Sequence, residues 1–148
     1  MKSEVKIEGN RLQVTRVFDA PRHLVFGAWK DPVLLRQWWG CKDTTKVECE
    51  MDFRVGGSLS YKMNITGAGE FSYTGQYDEI VEPEKIACHW GFGAATMRVS
   101  VEFIEQGGRT KLILTQEGFP DQSMCQFVSQ GTDEAFDKLD RLLVCQEA

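Results

Sequence analysis

The chain has few of the residues on which most catalytic and metal-binding chemistry depends. Histidine occurs only twice, at His23 and His89, far apart in the sequence. No Gly-x-Ser-x-Gly elbow, His-Glu-x-x-His helix or phosphate-binding loop is present. Gly56-Gly57 has neither the lysine nor the spacing of a phosphate loop and reads as a turn. Basic runs are missing too: 17 Lys and Arg stand against 22 Asp and Glu, a formal charge of −5. Nucleic-acid binding needs a concentrated positive face, so that class is excluded. Apolar runs such as Leu112 to Leu114 fall far short of the ~20 residues of a membrane helix. The opening Met1-Lys2-Ser3-Glu4-Val5-Lys6 has no apolar segment of the kind a secretion signal carries, so the expected location is the cytoplasm without membrane insertion.

Cysteine is present five times (Cys41, Cys49, Cys88, Cys125, Cys145), but no pair has C-x-x-C spacing. Neither a zinc ribbon nor a dithiol redox motif is signalled, and free thiols, several of them small core hydrophobes, are expected. Cys145, near the C-terminus, is a candidate for an exposed, oxidisable thiol. Cys88 and His89 are adjacent and on a strand would face opposite sides. No metal, cofactor or catalytic residue is therefore predicted.

What is present describes one ordinary domain. With 148 residues, 42% apolar and 26% charged, the chain can bury a real core, and no linker or repeat divides it. Residues 11–18 alternate as a strand. Pro21 suits a helix start, with Leu24 and Ala28, and Val25 and Trp29, each four apart on one stripe. Asp31-Pro32 caps a second short helix, Val33 to Trp39, which Gly40 can stop. From about 45 to 117 the period becomes two. Apolar faces such as Val47/Cys49/Met51/Phe53 and Met97/Val99/Val101/Phe103 are separated by turns at Gly56-Gly57, Glu82-Pro83-Glu84 and Gly107-Gly108. Ile86, Cys88 and Trp90 form another such face, which leaves His89 outside the core. This is an antiparallel meander with one covered face. Six strands here and one before give about seven. Asp121 can cap a helix over about 122–146 whose apolar stripe includes Met124, Val128, Gly131, Ala135, Leu139 and Leu142, widened by Phe127, Phe136 and Leu143. Asp137, Lys138, Asp140 and Arg141 fall off that stripe. The fold class is α+β.

The order of elements resembles the helix-grip arrangement of the START and birch-pollen-allergen superfamily. Several motifs narrow the resemblance to proteins similar to the C-terminal domain of the heat-shock protein 90 ATPase activator. They are Arg16-Val17-Phe18-Asp19-Ala20-Pro21, Val25-Phe26, Trp29, Asp31-Pro32, Leu35, Trp38-Trp39-Gly40, Gly56-Gly57, Gly75-Gln76-Tyr77, Glu82-Pro83-Glu84-Lys85-Ile86, Leu114-Thr115-Gln116 and Phe136-Asp137-Lys138-Leu139. The match covers about residues 10–145 of a single domain spanning 1–148. One departure is visible: Thr132 follows Gly131 where the family usually has Trp. The resemblance implies a curved sheet of about seven strands, two short helices and a long C-terminal helix over the concave face, usually enclosing a cavity.

The residues suggest what could line such a cavity. Trp38, Trp39, Tyr61, Met63, Tyr73, Tyr77, Trp90, Met97 and Phe103 lie on apolar faces, with Phe127, Gly131 and Ala135 opposite them on the long helix. Aromatic walls with a few hydroxyls suit a small hydrophobic ligand. Trp38 and Trp39 are adjacent, so one is expected to pack inside and the other to sit at a cavity mouth. Arg16 shares alternation with Leu12, Val14 and Phe18, which puts a guanidinium on the covered face. It needs an internal carboxylate or an anionic ligand, unless the alternation breaks and leaves it in water. The leading expectation is non-catalytic binding of a small hydrophobic molecule. The resemblance alone implies a chaperone-activating module as the alternative, and the wider superfamily implies a cyclase- or hydrolase-like enzyme as a third. A monomer and a homodimer are both compatible with the sequence.

Overall fold

In the computed structural model, residues 3–92 and 95–147 are described; the side chain of Cys145 lies outside the described residues. The chain runs β1 (Glu4–Glu8), β2 (Arg11–Phe18), α1 (Arg22–Lys30), α2 (Pro32–Trp38), β3 (Thr44–Met51), β4 (Ser58–Ile65), β5 (Gly69–Val81), β6 (Lys85–Phe92), β7 (Ala95–Gln106), β8 (Arg109–Glu117) and α3 (Gln122–Glu147). One antiparallel sheet takes the order β1-β2-β8-β7-β6-β5-β4-β3. The count is eight strands rather than about seven. Residues 4–8, a five-residue segment with only Val5 and Ile7 apolar, pair with β2 from Glu4↔Thr15 to Glu8↔Arg11.

The turn and cap signals operate locally as their chemistry requires. Asp31 accepts from the Val33 N–H at 2.9 Å, with Pro32 following it, and Asp121 accepts from the Met124 N–H at 2.8 Å. Trp39 closes α2, and Gly40 follows at φ +85°. Gly107 and Gly108 both have positive φ, as a two-residue hairpin turn demands.

Alternation holds through β2, so Leu12, Val14, Arg16 and Phe18 all point to the covered face and are buried. Arg16 is 2% exposed. Helix α3 packs chiefly against α2, β2 and β1, and delivers the carboxylates that Arg16 needs. The Arg16 Nη2 donates to Asp133 at 2.7 Å and Asp137 at 2.9 Å, Nη1 to Asp140 at 2.7 Å, and Nε to the Ser3 hydroxyl at 2.8 Å. Three acids at i, i+4 and i+7 of one helix thus converge on one guanidinium. The Phe18 and Phe136 rings flank it, each 5.9 Å away. Of the roles open to Arg16, the internal ion pair is the one realised, and its donors are engaged by the protein itself. Asp137 and Asp140, off the apolar stripe, are its partners. Phe127 is a correction: expected on the stripe, it is 62% exposed, because the helix turns it away from α2 and the sheet.

The cluster is asymmetric, since the guanidinium is buried while the side chains of Asp133 and Asp137 are about half in water. Replacing Asp133, Asp137 and Asp140 together by Asn strands a buried cation and costs about 3–5 kcal/mol in urea unfolding. Arg16→Met, by contrast, leaves solvated acids and costs about 1 kcal/mol; equal losses would contradict this account. Burial pushes the Asp133 carboxyl up, but Ser3 and Arg16 outweigh it and hold the carboxyl below its usual range. Its contribution is therefore complete above the ordinary carboxylate pKa and is lost as pH falls through the folded value. Asp140 runs the other way, because burial holds it above its usual range despite Arg16. Between about pH 5 and 3, Asp140→Asn should lose stability more steeply than the native chain, and Asp133→Asn less steeply.

Candidate functional site

The inner face of the β3–β6 half of the sheet carries an aromatic ladder. Trp39, at the end of α2, stacks on Tyr61 of β4 with centroids 4.7 Å apart and planes at 28°. Tyr61 meets Tyr73 of β5 edge-on at 5.5 Å, and Tyr73 stacks on Trp90 of β6 at 5.0 Å and 24°. The register explains the order: Tyr61↔Tyr73 are direct partners, and Trp90 pairs with Gly75, two residues along β5. Gly75 is obligatory, because a Cβ there would lie 1.9 Å from the His89 carbonyl oxygen. The Trp39 indole N–H donates to the Tyr73 hydroxyl at 3.0 Å.

Behind the ladder the two short helices contribute a second group of rings. Trp29 lies 4.8 Å from Trp38, 6.1 Å from Trp39 and 6.1 Å from Phe103. Trp38 is buried and donates to the Ala28 carbonyl at 3.0 Å. Trp29 is also buried, yet its indole nitrogen is, among the described residues, the one buried side-chain donor without a partner. An N–H left in that state costs about 1–3 kcal/mol.

The residues expected to line a cavity therefore divide. Trp39, Tyr61, Tyr73 and Trp90 come together, and Tyr77 and Met97 are buried beside them in the same core. Trp38 and Phe103 belong to the packing under α1, where Phe26 also meets Phe103. Met63 is half-buried and stands apart from the packed core. On α3, Ala135 is buried, Gly131 lies against Cys41, where a Cβ would sit 3.5 Å from the cysteine Cβ, and Phe127 faces water. Arg16 sits at the other end of the molecule, in its carboxylate cluster. Trp38 is fully inside and Trp39 only partly buried, a division in line with adjacent rings pointing to different places.

The inner face is uncharged in its chemistry. Burial raises the Tyr61, Tyr73 and Tyr77 phenols well above their usual values and pushes the Cys88 thiol up to about 12. Burial raises Cys49 as well. These groups stay protonated near neutrality, so they serve as hydrogen-bond donors and not as nucleophiles. Sequence reasoning missed two features. One is the Lys138 ammonium, which donates to the carbonyls of Trp39 at 3.0 Å and Cys41 at 3.3 Å and so pins the segment after α2 to α3. The other is Asp78, set on a register shift in β5, whose carboxylate lies 2.8 Å from His89 Nδ1. His89 itself is on the outer face, as its alternation with Trp90 requires, and His23 is exposed.

Among solved structures the chain resembles protein CV1439 from Chromobacterium violaceum, with 25% identity, a TM-score of 0.80, and coverage of 90% of this chain and 96% of that one. A protein from Arthrobacter aurescens matches at 22% identity and a TM-score of 0.82, covering 95% and 91%. Protein Ms6760 from Mycobacterium smegmatis matches at 20% and 0.82, covering 99% of each chain, which shows a shared fold. No curated protein matches. The family described as activator of Hsp90 ATPase homolog 1-like protein matches residues 19–144, from the end of β2 through most of α3. With that match spanning most of its length, and a sheet and helices in the helix-grip order, the chain belongs to the activator of Hsp90 ATPase homolog 1-like family.

Proposed function

We propose that the protein binds a small, mainly apolar molecule on its inner face, where the ligand takes the place of the Trp39 ring on Tyr61. The carrying observation is the ladder itself. Its innermost rings are held by the sheet, while its outermost ring, Trp39, is only partly buried and stands at the end of a short helix next to Gly40. A planar or aliphatic molecule stacked on Tyr61 keeps the apolar contact that Trp39 now makes. It also meets two polar groups, the Tyr73 hydroxyl released by Trp39 and the unpartnered Trp29 N–H. An apolar body with one hydrogen-bonding end matches that surface.

A chaperone-activating role is the second reading, supported by the family match. The outer-face residues Glu48, Glu50, Asp52, Lys62 and Glu102 are exposed and mixed in sign, which makes no apolar patch.

Native mass spectrometry and tryptophan emission, read against fatty acids, sterols and aromatic acids, test the proposal. A co-purified mass or a saturable change in emission is the expected result; the absence of both across the panel overturns it. Trp39→Ala should bind the responding compound about tenfold more tightly, because the competing ring is gone. Trp29→Phe should weaken ligands carrying an acceptor by about fivefold, equivalent to roughly 1 kcal/mol, and leave hydrocarbons unaffected. Stimulation of an Hsp90-type ATPase, unchanged by Trp39→Ala, would move the function to the surface instead.

A further inference from the structure

The outer face carries a feature that the ligand reading does not use. A hollow of about 510 Å³ crosses four strands from Glu50 on β3 to His89 on β6. Register builds it from two adjacent rows. One row runs Glu50↔Ser60↔Thr74, and Gly91 continues it on β6; the other runs Ser58↔Gln76↔His89. Short hydroxyl side chains and a glycine form the floor, while Glu50, Gln76 and His89 form the ends and wall. Gly91 leaves open space, since nothing lies within 4 Å of a Cβ built on it.

His89 is fixed for a role in this trough. The register shift between Tyr77 and Glu79 presents Asp78 to the imidazole, with both carboxylate oxygens 2.8 Å from Nδ1. A carboxylate only accepts, so Nδ1 carries a hydrogen and Nε2 is left for a hydrogen bond to a ligand. The lining therefore offers hydroxyls that both donate and accept, one carboxamide, one oriented imidazole and one carboxylate. Among the described residues no lysine or arginine lines it, which disfavours phosphates and carboxylates, and its surface mixes hydrogen-bonding with apolar groups, as that of a sugar does.

We propose that this trough is a second binding site, for a polyhydroxylated molecule that is neutral or carries an ammonium group, such as a sugar or amino sugar. Neighbouring strands hold the floor hydroxyls about 4.8 Å apart, a spacing that hydroxyls around a six-membered sugar ring also provide. Glu50 supplies the partner for an ammonium substituent, and His89 Nε2 hydrogen-bonds a ligand hydroxyl.

The test is titration of the 15N-labelled chain with glucosamine, glucose and glucose 6-phosphate at about pH 6.5, where the amine is protonated. Saturable shifts confined to residues 58–60, 74–76 and 89–91 are expected, with glucosamine about threefold tighter than glucose. Glucose 6-phosphate should bind more weakly than glucose. Gly91→Val fills the floor with a residue that strands favour, and should abolish the shifts while the protein stays folded. Glu50→Gln should remove the preference for glucosamine over glucose and leave glucose unchanged. No saturable shift with any of the three sugars, or shifts that survive Gly91→Val, overturns the proposal. The outcome is independent of ligand binding at Tyr61, which tryptophan emission reports.

Discussion

The architecture turns on a single buried guanidinium. Arg16 projects from the middle of β2 into the layer between sheet and helix, and α3 answers it with three aspartates on successive turns. A cation in that layer without partners would cost several kcal/mol. The placement of α3 over β1 and β2 is therefore fixed in rotation and in register, since a shift by one residue would withdraw the acids from reach. Hydrophobic packing of Phe136 and Leu139 alone would tolerate sliding; directional bonds of 2.7–2.9 Å do not.

With α3 committed to that end of the sheet, the β3–β6 half must cover its inner face by other means. It does so with its own side chains and with α2. Trp39, Tyr61, Tyr73 and Trp90 close over one another, so that rings do the work a longer helix overlap would have done. This makes the two halves different in kind. One is locked by charge and hydrogen bonds, the other by stacking whose outermost member reaches water.

Period-two alternation made the sheet legible, because each strand between residues 45 and 117 has one covered face. The caps at Asp31 and Asp121 were equally readable, since their chemistry is local. Alternation also put Arg16 inside, but the identity of its partners was not readable: Asp133, Asp137 and Asp140 lie on a helix flank that a hydrophobic stripe classes as solvent-facing. The same reasoning misplaced Phe127, which satisfies the stripe's spacing and yet overhangs the sheet. Strand β1 escaped because it is only five residues long, with two apolar positions of which Val5 stays exposed at the sheet edge. The aromatic candidates Tyr61, Tyr73 and Trp90 lie on the inner face, where alternation puts them. Whether they would line a space or fill it depends on ring-to-ring distances, which sequence does not encode. His89 was placed on the outer face, while its pairing with Asp78 depends on a one-residue shift in β5 that no composition signal marks.

The pairing of β2 with β8 has a consequence in time. Every bond between them, from Arg11↔Glu117 to Phe18↔Thr110, joins residues roughly 100 positions apart, whereas β3 through β7 pair only with sequence neighbours. On the ribosome the meander can assemble hairpin by hairpin as it emerges, but β2, with the cation on its inner side, must wait for β8. For most of synthesis Leu12, Val14 and Phe18 have only the short edge strand β1 beside them. The beginning of the chain is thus the last part of the sheet to be secured, and a holding factor that shields residues 11–18 would raise the yield of folded protein without touching its final stability.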